Sequence, residues 1–240
     1  MVKICLSASH THAAGDSNYS NSVDGLDQII AAVQAAMPDV VWENCEDGGS
    51  MQTFKMVQQY VTSVLNDSDN ALTTRRAVYG ATYPFSPRYT ERYMMDEPDN
   101  TYETRSYMFG GPFIVMNRIT NWSNGTMDFV RREIQMYKSV RDVMAEAKIY
   151  HVTPPPDGDS NDAMQAYDSA QDRSVVFVYS NGNSEVTFVQ PKGLEPNALY
   201  WIGFLEVPRS YLATGAQLMG EGIPVILPMS TAEVVSIVRR

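Results

Sequence analysis

The order of hydrophobic and polar positions predicts alternating strands and helices over the first 150 residues. Two short apolar runs, residues 2–7 and 40–42, have the composition of strands. Between them, apolar residues recur every three or four positions until Pro38, which predicts an amphipathic helix. A strand, a helix and a second strand form the repeating unit of parallel sheets and barrels.

The same alternation continues toward residue 150. It predicts a helix over 50–59, a strand over 60–64, a helix from about Asp69 and a strand over 105–115. A long helix is expected over 126–147. Its apolar stripe consists of Met127, Val130, Ile134, Tyr137, Val140 and Met144.

The hydrophobic period changes after residues 151–162, a segment that contains three consecutive prolines and many small polar residues. Prolines disfavour both helices and central strands, so a linker is expected here. Beyond it, two β-rich runs flank Asn181-Gly182-Asn183, a composition typical of a hairpin turn. Three further strand candidates follow. The region after the linker is therefore predicted to be antiparallel.

Composition narrows the class of partner. The chain has 240 residues, 44 % of them hydrophobic, which indicates a globular protein with a sizeable core. Its net charge of −10 argues against nucleic acid and anionic membranes as partners. No apolar run approaches the roughly 20 residues of a membrane span, and no export signal is visible. We expect a soluble cytoplasmic protein without a cofactor.

Polar side chains follow two neighbouring strand candidates. Residues 43–47 end the first apolar run and precede a Gly-Gly pair, and residues 66–70 follow the next strand candidate. In a parallel barrel the active site lies at the carboxyl ends of the strands, so both clusters are candidates for chemistry. The alternative is that these polar residues cap helices and are solvated.

These clusters carry a resemblance to a known family. "PDVVWENCEDGGSM" is similar to the ENC-x-x-GG stretch of glycoside hydrolase family 36, the melibiase-type α-galactosidases. "LNDSDNALTTRRAVYGATYPFSP" resembles the family segment that begins SD-x-TD. "YKSVRDVMAEAKIYHV", "LEPNALYWI" and "TGAQLMGEGIPVILP" resemble its last barrel helix and its C-terminal β-sandwich, in the same order.

The resemblance implies an α/β fold with a partial (half) (β/α)8 TIM-type barrel followed by a small antiparallel β-sandwich. The expected boundaries are 1–150 for the partial barrel, 151–162 for the Pro-rich linker and 163–240 for the β-sandwich. The chain then corresponds to roughly the C-terminal half of such an enzyme. A closed barrel needs eight strands and residues 1–150 offer about four or five, so a homo-oligomer, a dimer or higher, is expected.

The resemblance also implies a pair of catalytic aspartates. Members are retaining hydrolases whose nucleophile and acid/base lie about 5 Å apart. By position the acid/base falls on Asp67. The sequence has Asn66, Asp69 and Asn70 where the motif has Ser, Thr and Asp, so Asp69 is the alternative. Two neighbouring carboxyl groups perturb each other's pKa, as an acid/base requires.

Candidate sugar contacts cluster around the Cys-containing motif. Cys45 and Gly48 match family positions that contact the sugar, and Glu43 and Asn44 are further candidates from the same motif. Glycine there allows the sugar ring to approach the backbone. By residue type alone, Cys45 is equally compatible with a small buried hydrophobic side chain.

Two further stretches leave alternatives open. His10 and His12 form an H-x-H pair that could bind a metal together with Asp16. Polar packing or a sugar contact by His10 is favoured over this alternative, so no metal is expected. The aromatic and basic stretch 83–94 suits either sugar stacking or packing, with packing favoured.

The residue expected at the nucleophile position is unusual for the family. The family motif is K-x-D, and the only local match is Lys3-Ile4-Cys5, with cysteine in place of aspartate. Either the nucleophile strand is absent or the residue is replaced. A thiol is a poor replacement, because with the ordinary pKa of about 8.5 it is mostly protonated at neutral pH.

Two functions follow. One is an α-galactosidase-like hydrolase of terminal α-galactosides, incomplete as a single chain, and the other is a non-catalytic carbohydrate-binding or assembly protein.

Overall fold

The first strands of the chain form a parallel sheet. A computed structural model describes residues 2–5, 19–45, 52–68, 70–95, 97–181 and 186–240. β1 (Val2–Cys5) pairs in parallel with β2 (Trp42–Cys45), and β2 pairs in parallel with β3 (Thr62–Ser63). Each new strand is added beside the previous one, as the strand-helix-strand pattern predicts.

The parallel arrangement continues beyond β3. A parallel bridge joins Val64 to Glu91, directly before β4 (Arg92–Met94). β4 pairs in parallel with β5 (Phe113–Val115). The five strands β1 to β5 therefore follow one another in chain order, and their carboxyl ends lie at one edge.

In the described ranges, four α-helices accompany these strands. Their bounds are Tyr19–Ala36 for α1, Ala71–Ala81 for α2, Thr101–Ser106 for α3 and Asn124–Met144 for α4. Asn70, Asn100 and Ser123 are the N-caps of α2, α3 and α4, and each side chain accepts a backbone N–H from the first turn. The helices predicted before Pro38, from about Asp69 and over 126–147 are confirmed.

A six-stranded antiparallel sheet follows. Its members are β6 (Lys148–His151), β7 (Asp162–Asp168), β8 (Arg173–Tyr179), β10 (Leu199–Phe204), β11 (Ser210–Thr214) and β13 (Ala232–Arg239). The spatial order is β11-β10-β13-β8-β7-β6. β9 (Val186–Val189) and β12 (Ile223–Ile226) form a separate antiparallel pair, and α5 (Gly215–Glu221) lies between β11 and β12 in the chain.

Both faces of the six-stranded sheet are buried. Val175, Phe177 and Tyr179 of β8 pack with residues of α2 and α4, whereas Val176 and Val178 pack with residues of β9, β12 and α5. A strand buried on both faces reads as a continuous apolar run, which is why β8 has no polar alternation. Residues from both sides of the 151–162 segment share the first of these cores.

Two predictions in the first half are wrong. Of the helix predicted over 50–59, the described part contains only a single 3₁₀ turn, Met56–Gln58. The strand predicted over 105–115 exists only as β5, because Asn100 starts α3 and the apolar residues after it are buried in a loop. A buried apolar run of this length does not distinguish a strand from a packed loop.

The predicted hairpin around residue 182 is also wrong. β8 pairs with β7 and β13, while β9 pairs with β12. β8 already has a neighbour on each side within its own sheet, so β9 joins a different sheet.

None of the helices in the described part of the chain has the length and apolar character that a membrane span requires.

Candidate functional site

The carboxyl ends of β2 and β3 bring two of the candidate positions to the same edge of the sheet. Cys45 is the last residue of β2. Asp67 follows β3 by four residues, in the connection that leads to α2. Since the two strands are parallel neighbours, both residues lie on the carboxyl side of the sheet.

Cys45 belongs to a small buried cluster on one face of this sheet. It packs with Val64 and Tyr93, and Met95 and Ile114 lie against the three of them. The sulfur of Cys45 is 3.7 Å from the hydroxyl oxygen of Tyr93. The cluster joins β2, β4 and β5 to Val64, the residue that follows β3, through side chains as well as backbone pairing.

Glu43 and Asn44 are buried within β2. Asn44 donates from its side chain to the hydroxyl of Ser63, at 3.0 Å, and its backbone carbonyl accepts the N–H of Val64. Alternate strand residues point to opposite faces, so Asn44 shares a face with Trp42, which packs against α1. Glu43 shares the other face with Cys45. Neighbouring candidates from one motif therefore have different surroundings.

Asp67 is exposed in the connection between β3 and α2. The connection is ordered by polar contacts around it. Ser68 accepts the backbone N–H of Asn70 at 3.1 Å, and the Asn70 side chain accepts the N–H of Thr73 at 3.0 Å. A turn that leads into a capped helix holds an exposed carboxylate at a fixed place on the sheet edge.

α2 is anchored behind the connection by Arg75, which is fully buried. Its guanidinium forms two hydrogen bonds with Asp162 of β7, at 3.1 and 3.2 Å, and also donates to Ser106 and Tyr102. Burial lowers the pKa of Arg75, but Asp162 and the tyrosine hydroxyls outweigh it, so the pKa lies above its ordinary value. The Arg75–Asp162 ion pair therefore holds α2, and the connection that contains Asp67, against the antiparallel sheet.

Several predicted site residues lie outside the described residues. They are Gly48, Asp69, His10, His12 and Asp16. No group of three or more His, Cys, Asp and Glu side chains with metal-site geometry occurs among the residues that the structure describes.

Sequence reasoning did not single out Tyr93. It lies in the aromatic stretch 83–94, where the sequence left stacking and packing open. Tyr93 is buried, whereas Tyr83 is 68 % exposed, so the stretch contains both kinds of residue. The two tyrosines lie in different elements, since Tyr83 follows α2 and Tyr93 lies in β4, whose three residues are all buried. A strand that is buried at every position has no polar alternation for the sequence to show.

The chain is similar to known α-galactosidases. It is 24 % identical over 230 residues to the bifunctional alpha-galactosidase/sucrose kinase AgaSK of Mediterraneibacter gnavus, covering 92 % of this chain and 24 % of that protein. It is 22 % identical over 227 residues to alpha-galactosidase AgaA of Geobacillus stearothermophilus, covering 90 % and 30 %. No family model matches the chain.

Solved structures agree with these relatives. The galactosidase domain of AgaSK superimposes with a TM-score of 0.84 at 20 % identity, over 99 % of this chain and 34 % of that one. AgaA, described as a GH36 enzyme, gives 0.83 at 16 % identity over 99 % and 35 %. This chain has the fold of part of the family 36 α-galactosidases. The predicted resemblance is confirmed.

The likeness covers a limited part of those proteins. The chain spans about a quarter to a third of the length of the relatives and structures described above. A variant of AgaA was solved in complex with raffinose, and another in complex with stachyose. Both ligands are carbohydrates, the class of partner expected from the sequence.

Proposed function

We propose that this chain is an α-galactosidase-like retaining glycoside hydrolase of the family 36 type, acting on terminal α-galactosides, with Asp67 as general acid/base. The observation that supports this most directly is the position of Asp67. It is an exposed carboxylate four residues after β3, at the carboxyl edge of a parallel sheet in which the neighbouring strand β2 ends in Cys45.

In the proposed reaction, Asp67 donates a proton to the glycosidic oxygen as the leaving sugar departs, and C1 of the galactosyl group forms a bond to a nucleophilic carboxylate that the assembly supplies. Asp67 then accepts a proton from the water that attacks C1 and releases the galactosyl group from that carboxylate. Its exposure allows it to reach a substrate at the sheet edge. Asp69 is the alternative acid/base. Cys45, Gly48, Glu43, Asn44 and His10 remain the proposed sugar contacts.

The proposal includes the architecture of the site. Five parallel strands in chain order suit one part of a (β/α)8 barrel, in which β1 and β5 are the strands that meet the missing part. Residues 1–150 are the proposed partial barrel, 151–162 the linker and 163–240 the β-sandwich. A second copy of the chain would cover the open edges, and the site would be completed only in an assembly.

A non-catalytic carbohydrate-binding or assembly protein is the second candidate, and a specific observation favours it. Cys5 is the last residue of β1, and its Cα pairs with that of Cys45 in the parallel register. In the proposed match of Lys3-Ile4-Cys5 to the family's K-x-D motif, cysteine stands in place of the nucleophilic aspartate. A retaining mechanism with an aspartate nucleophile therefore needs a carboxylate from elsewhere.

The test of the proposal is hydrolysis of p-nitrophenyl α-galactoside by the wild-type chain and by Asp67→Asn. We expect the variant to lose about 10²- to 10⁴-fold in rate, because an amide cannot transfer the proton. Asp128→Asn is the matched control. Asp128 is an exposed aspartate on α4, paired with Arg131, and its replacement should leave the rate unchanged.

Three other results would change the assignment. Equal rates for the wild type and Asp67→Asn would remove Asp67 as the acid/base. A larger loss in Asp69→Asn would transfer the role to Asp69. A wild type that binds raffinose but does not cleave the chromogenic galactoside would favour the binding protein over the enzyme.

A further inference from the structure

The antiparallel part of the fold has a pocket beside an outer strand. β11 is an edge strand of the six-stranded sheet, and β12 belongs to the separate pair with β9. α5 connects β11 to β12 in the chain. Residues of these three elements, together with Arg209 just before β11, line a pocket of about 320 Å³. This volume lies within the range of small-molecule sites, about 300–1,000 Å³.

Arg209 reaches across the pocket from the β11 side to the β12 side. Its guanidinium donates to the backbone carbonyl of Pro224 in β12 at 3.3 Å. It also lies over the rings of Phe204 and Tyr211, 4.8 and 5.5 Å from their centroids. A guanidinium has five N–H donors, and the described residues supply one acceptor to this guanidinium. Because Arg209 is exposed, its other donors are available to a ligand.

Glu221 brings a carboxylate to the same pocket. It is the last residue of α5, it is exposed, and it forms no ion pair with any residue that the structure describes. The carboxyl end of a helix carries a partial negative charge, so a carboxylate there does not stabilise the helix. The described contacts therefore give the Glu221 side chain no part in holding the fold.

Gln217 and Tyr211 add neutral polar groups to the lining. The side-chain oxygen of Gln217 accepts the backbone N–H of Thr214 at 2.9 Å and its hydroxyl at 3.1 Å, whereas its NH2 group has no acceptor in the described ranges. The hydroxyl of Tyr211 likewise has no partner among the residues described. The apolar part of the lining includes Leu218 and Ala213, which pack into the core between the sheets.

These groups favour a neutral ligand that carries several hydroxyls. Arg209 and Glu221 have opposite charges, so the lining has no net charge and each of the two repels one sign of ion. The unused groups of Arg209 and Gln217 can only donate, and the carboxylate of Glu221 can only accept. A hydroxyl can do both, and the C–H face of a sugar ring can pack on the apolar lining. A sugar ring therefore suits the whole pocket.

We propose that the β11–α5–β12 pocket is a second carbohydrate-binding site, which binds one neutral sugar ring through hydrogen bonds to Arg209, Gln217 and Glu221. The site goes beyond the proposed function, because it binds a sugar without cleaving it and contains no residue of the parallel sheet. It includes much of the TGAQLMGEGIPVILP stretch, which the proposed hydrolysis does not use.

Galactose is the probe, because it is a neutral single ring without a glycosidic bond to cleave. Amide resonances of the isotopically labelled chain report binding residue by residue. Shifts over residues 209–224 can therefore be distinguished from shifts around Asp67. We expect the resonances of 209–224 to move with a dissociation constant of about 1–10 mM, as suits a single ring held by few contacts.

Glu221→Ala should weaken galactose binding at this pocket at least about tenfold, because a hydrogen bond to a charged group is lost. Its thermal midpoint should stay within about 2 °C of the wild type, since the side chain is exposed. Glu195→Ala is the matched control. Glu195 is also an exposed glutamate of the antiparallel part, but it does not line the pocket, so its replacement should leave the affinity unchanged.

Three results would overturn the second site. They are the absence of galactose-dependent shifts over 209–224, equal affinities of the wild type and Glu221→Ala, and larger shifts over 209–224 with sulfate than with galactose, which would identify an anion site at Arg209. The proposed function is judged by separate signals. If galactose shifts 209–224 alone and the chain does not cleave p-nitrophenyl α-galactoside, the proposed hydrolase is wrong and the second site stands.

Discussion

Asn44 and Cys45 are adjacent in the sequence, but a strand turns them to opposite faces. Asn44 uses its amide to bind Ser63 of the neighbouring strand, while Cys45 packs beside Tyr93. Asn66 lies three residues after Ser63, beyond the end of β3, and its amide has no such partner. Two asparagine side chains therefore differ in their hydrogen bonding within the protein, because their neighbours differ.

His151 provides a residue-scale prediction about pH. Its Nε2 lies 2.9 Å from the backbone oxygen of Tyr79 and 3.0 Å from the hydroxyl of Thr82, and its ring stacks on Tyr83. Burial lowers the pKa of His151, which the hydrogen bond to Tyr79 partly offsets, and the positive charge of Lys192 lowers it further. The folded state therefore favours the neutral imidazole.

Because the folded pKa lies below the unfolded value of about 6.5, this contribution to stability is complete above pH 6.5 and is lost as the pH falls through the folded pKa. We expect the unfolding free energy of the wild type to fall more steeply between pH 7.5 and pH 5 than that of His151→Gln. Urea unfolding at several pH values measures both slopes. Identical slopes would show that His151 does not contribute.

At the scale of elements, α2 connects the parallel sheet to the antiparallel one. Arg75 binds Asp162 of β7, and Arg76 donates to the backbone carbonyls of Pro156 and Asp157. The hydroxyl of Tyr79 donates to the carbonyl of Thr153. One helix thus holds the 151–162 segment, the antiparallel sheet and the Asp67 connection in a fixed arrangement.

Arg75→Met should be strongly destabilising. It leaves the buried Asp162 without its positive partner, and breaking such a pair costs about 3–5 kcal/mol. Adding Asp162→Leu should recover much of the loss, since no uncompensated charge then remains. The free energy of unfolding in urea measures the single and double variants.

Arg131→Met is the control for this experiment. Arg131 pairs with Asp128 at 2.6 Å, but both side chains are about two-thirds exposed, so the change should have little effect. Similar losses for Arg75→Met and Arg131→Met would mean that burial does not decide the strength of the Arg75 pair.

At the scale of the whole molecule, the Val64–Glu91 bridge joins the β1-β2-β3 sheet to the β4-β5 pair, and the described parallel strands then have two outer edges, β1 and β5. Their unpaired backbone groups can pair with another chain. Two exposed apolar residues, Met116 and Ile119, follow β5. Association through these edges would bury both the backbone groups and the apolar side chains.

We therefore predict that the chain is not a monomer. Light scattering at micromolar concentration should give a mass of at least twice 26.8 kDa. The mass should decrease on dilution if the association is reversible. A stable species at the monomer mass over the whole concentration range would exclude association through the sheet edges.

Local patterns in the sequence predicted the elements that depend on local interactions. The apolar stripe from Met127 to Met144 predicted α4, because helix periodicity is set by neighbours three and four positions apart. Asn70 was among the predicted cap residues, since a cap needs only the next three backbone N–H groups. The resemblance to family 36 likewise came from short motifs that keep their order along the chain.

Tertiary structure decided whatever depends on distant residues. The pairing of β9 with β12 rather than β8, the buried loop after α3 and the Arg75–Asp162 pair each join residues that no local pattern connects. The same holds for the candidate site. The sequence determined that polar residues follow β2 and β3. Only packing decided that the amide of Asn44 binds within the sheet, whereas the amide of Asn66 has no partner. Burial and hydrogen bonding depend on the neighbours that the fold brings to a residue, and not on the residue alone.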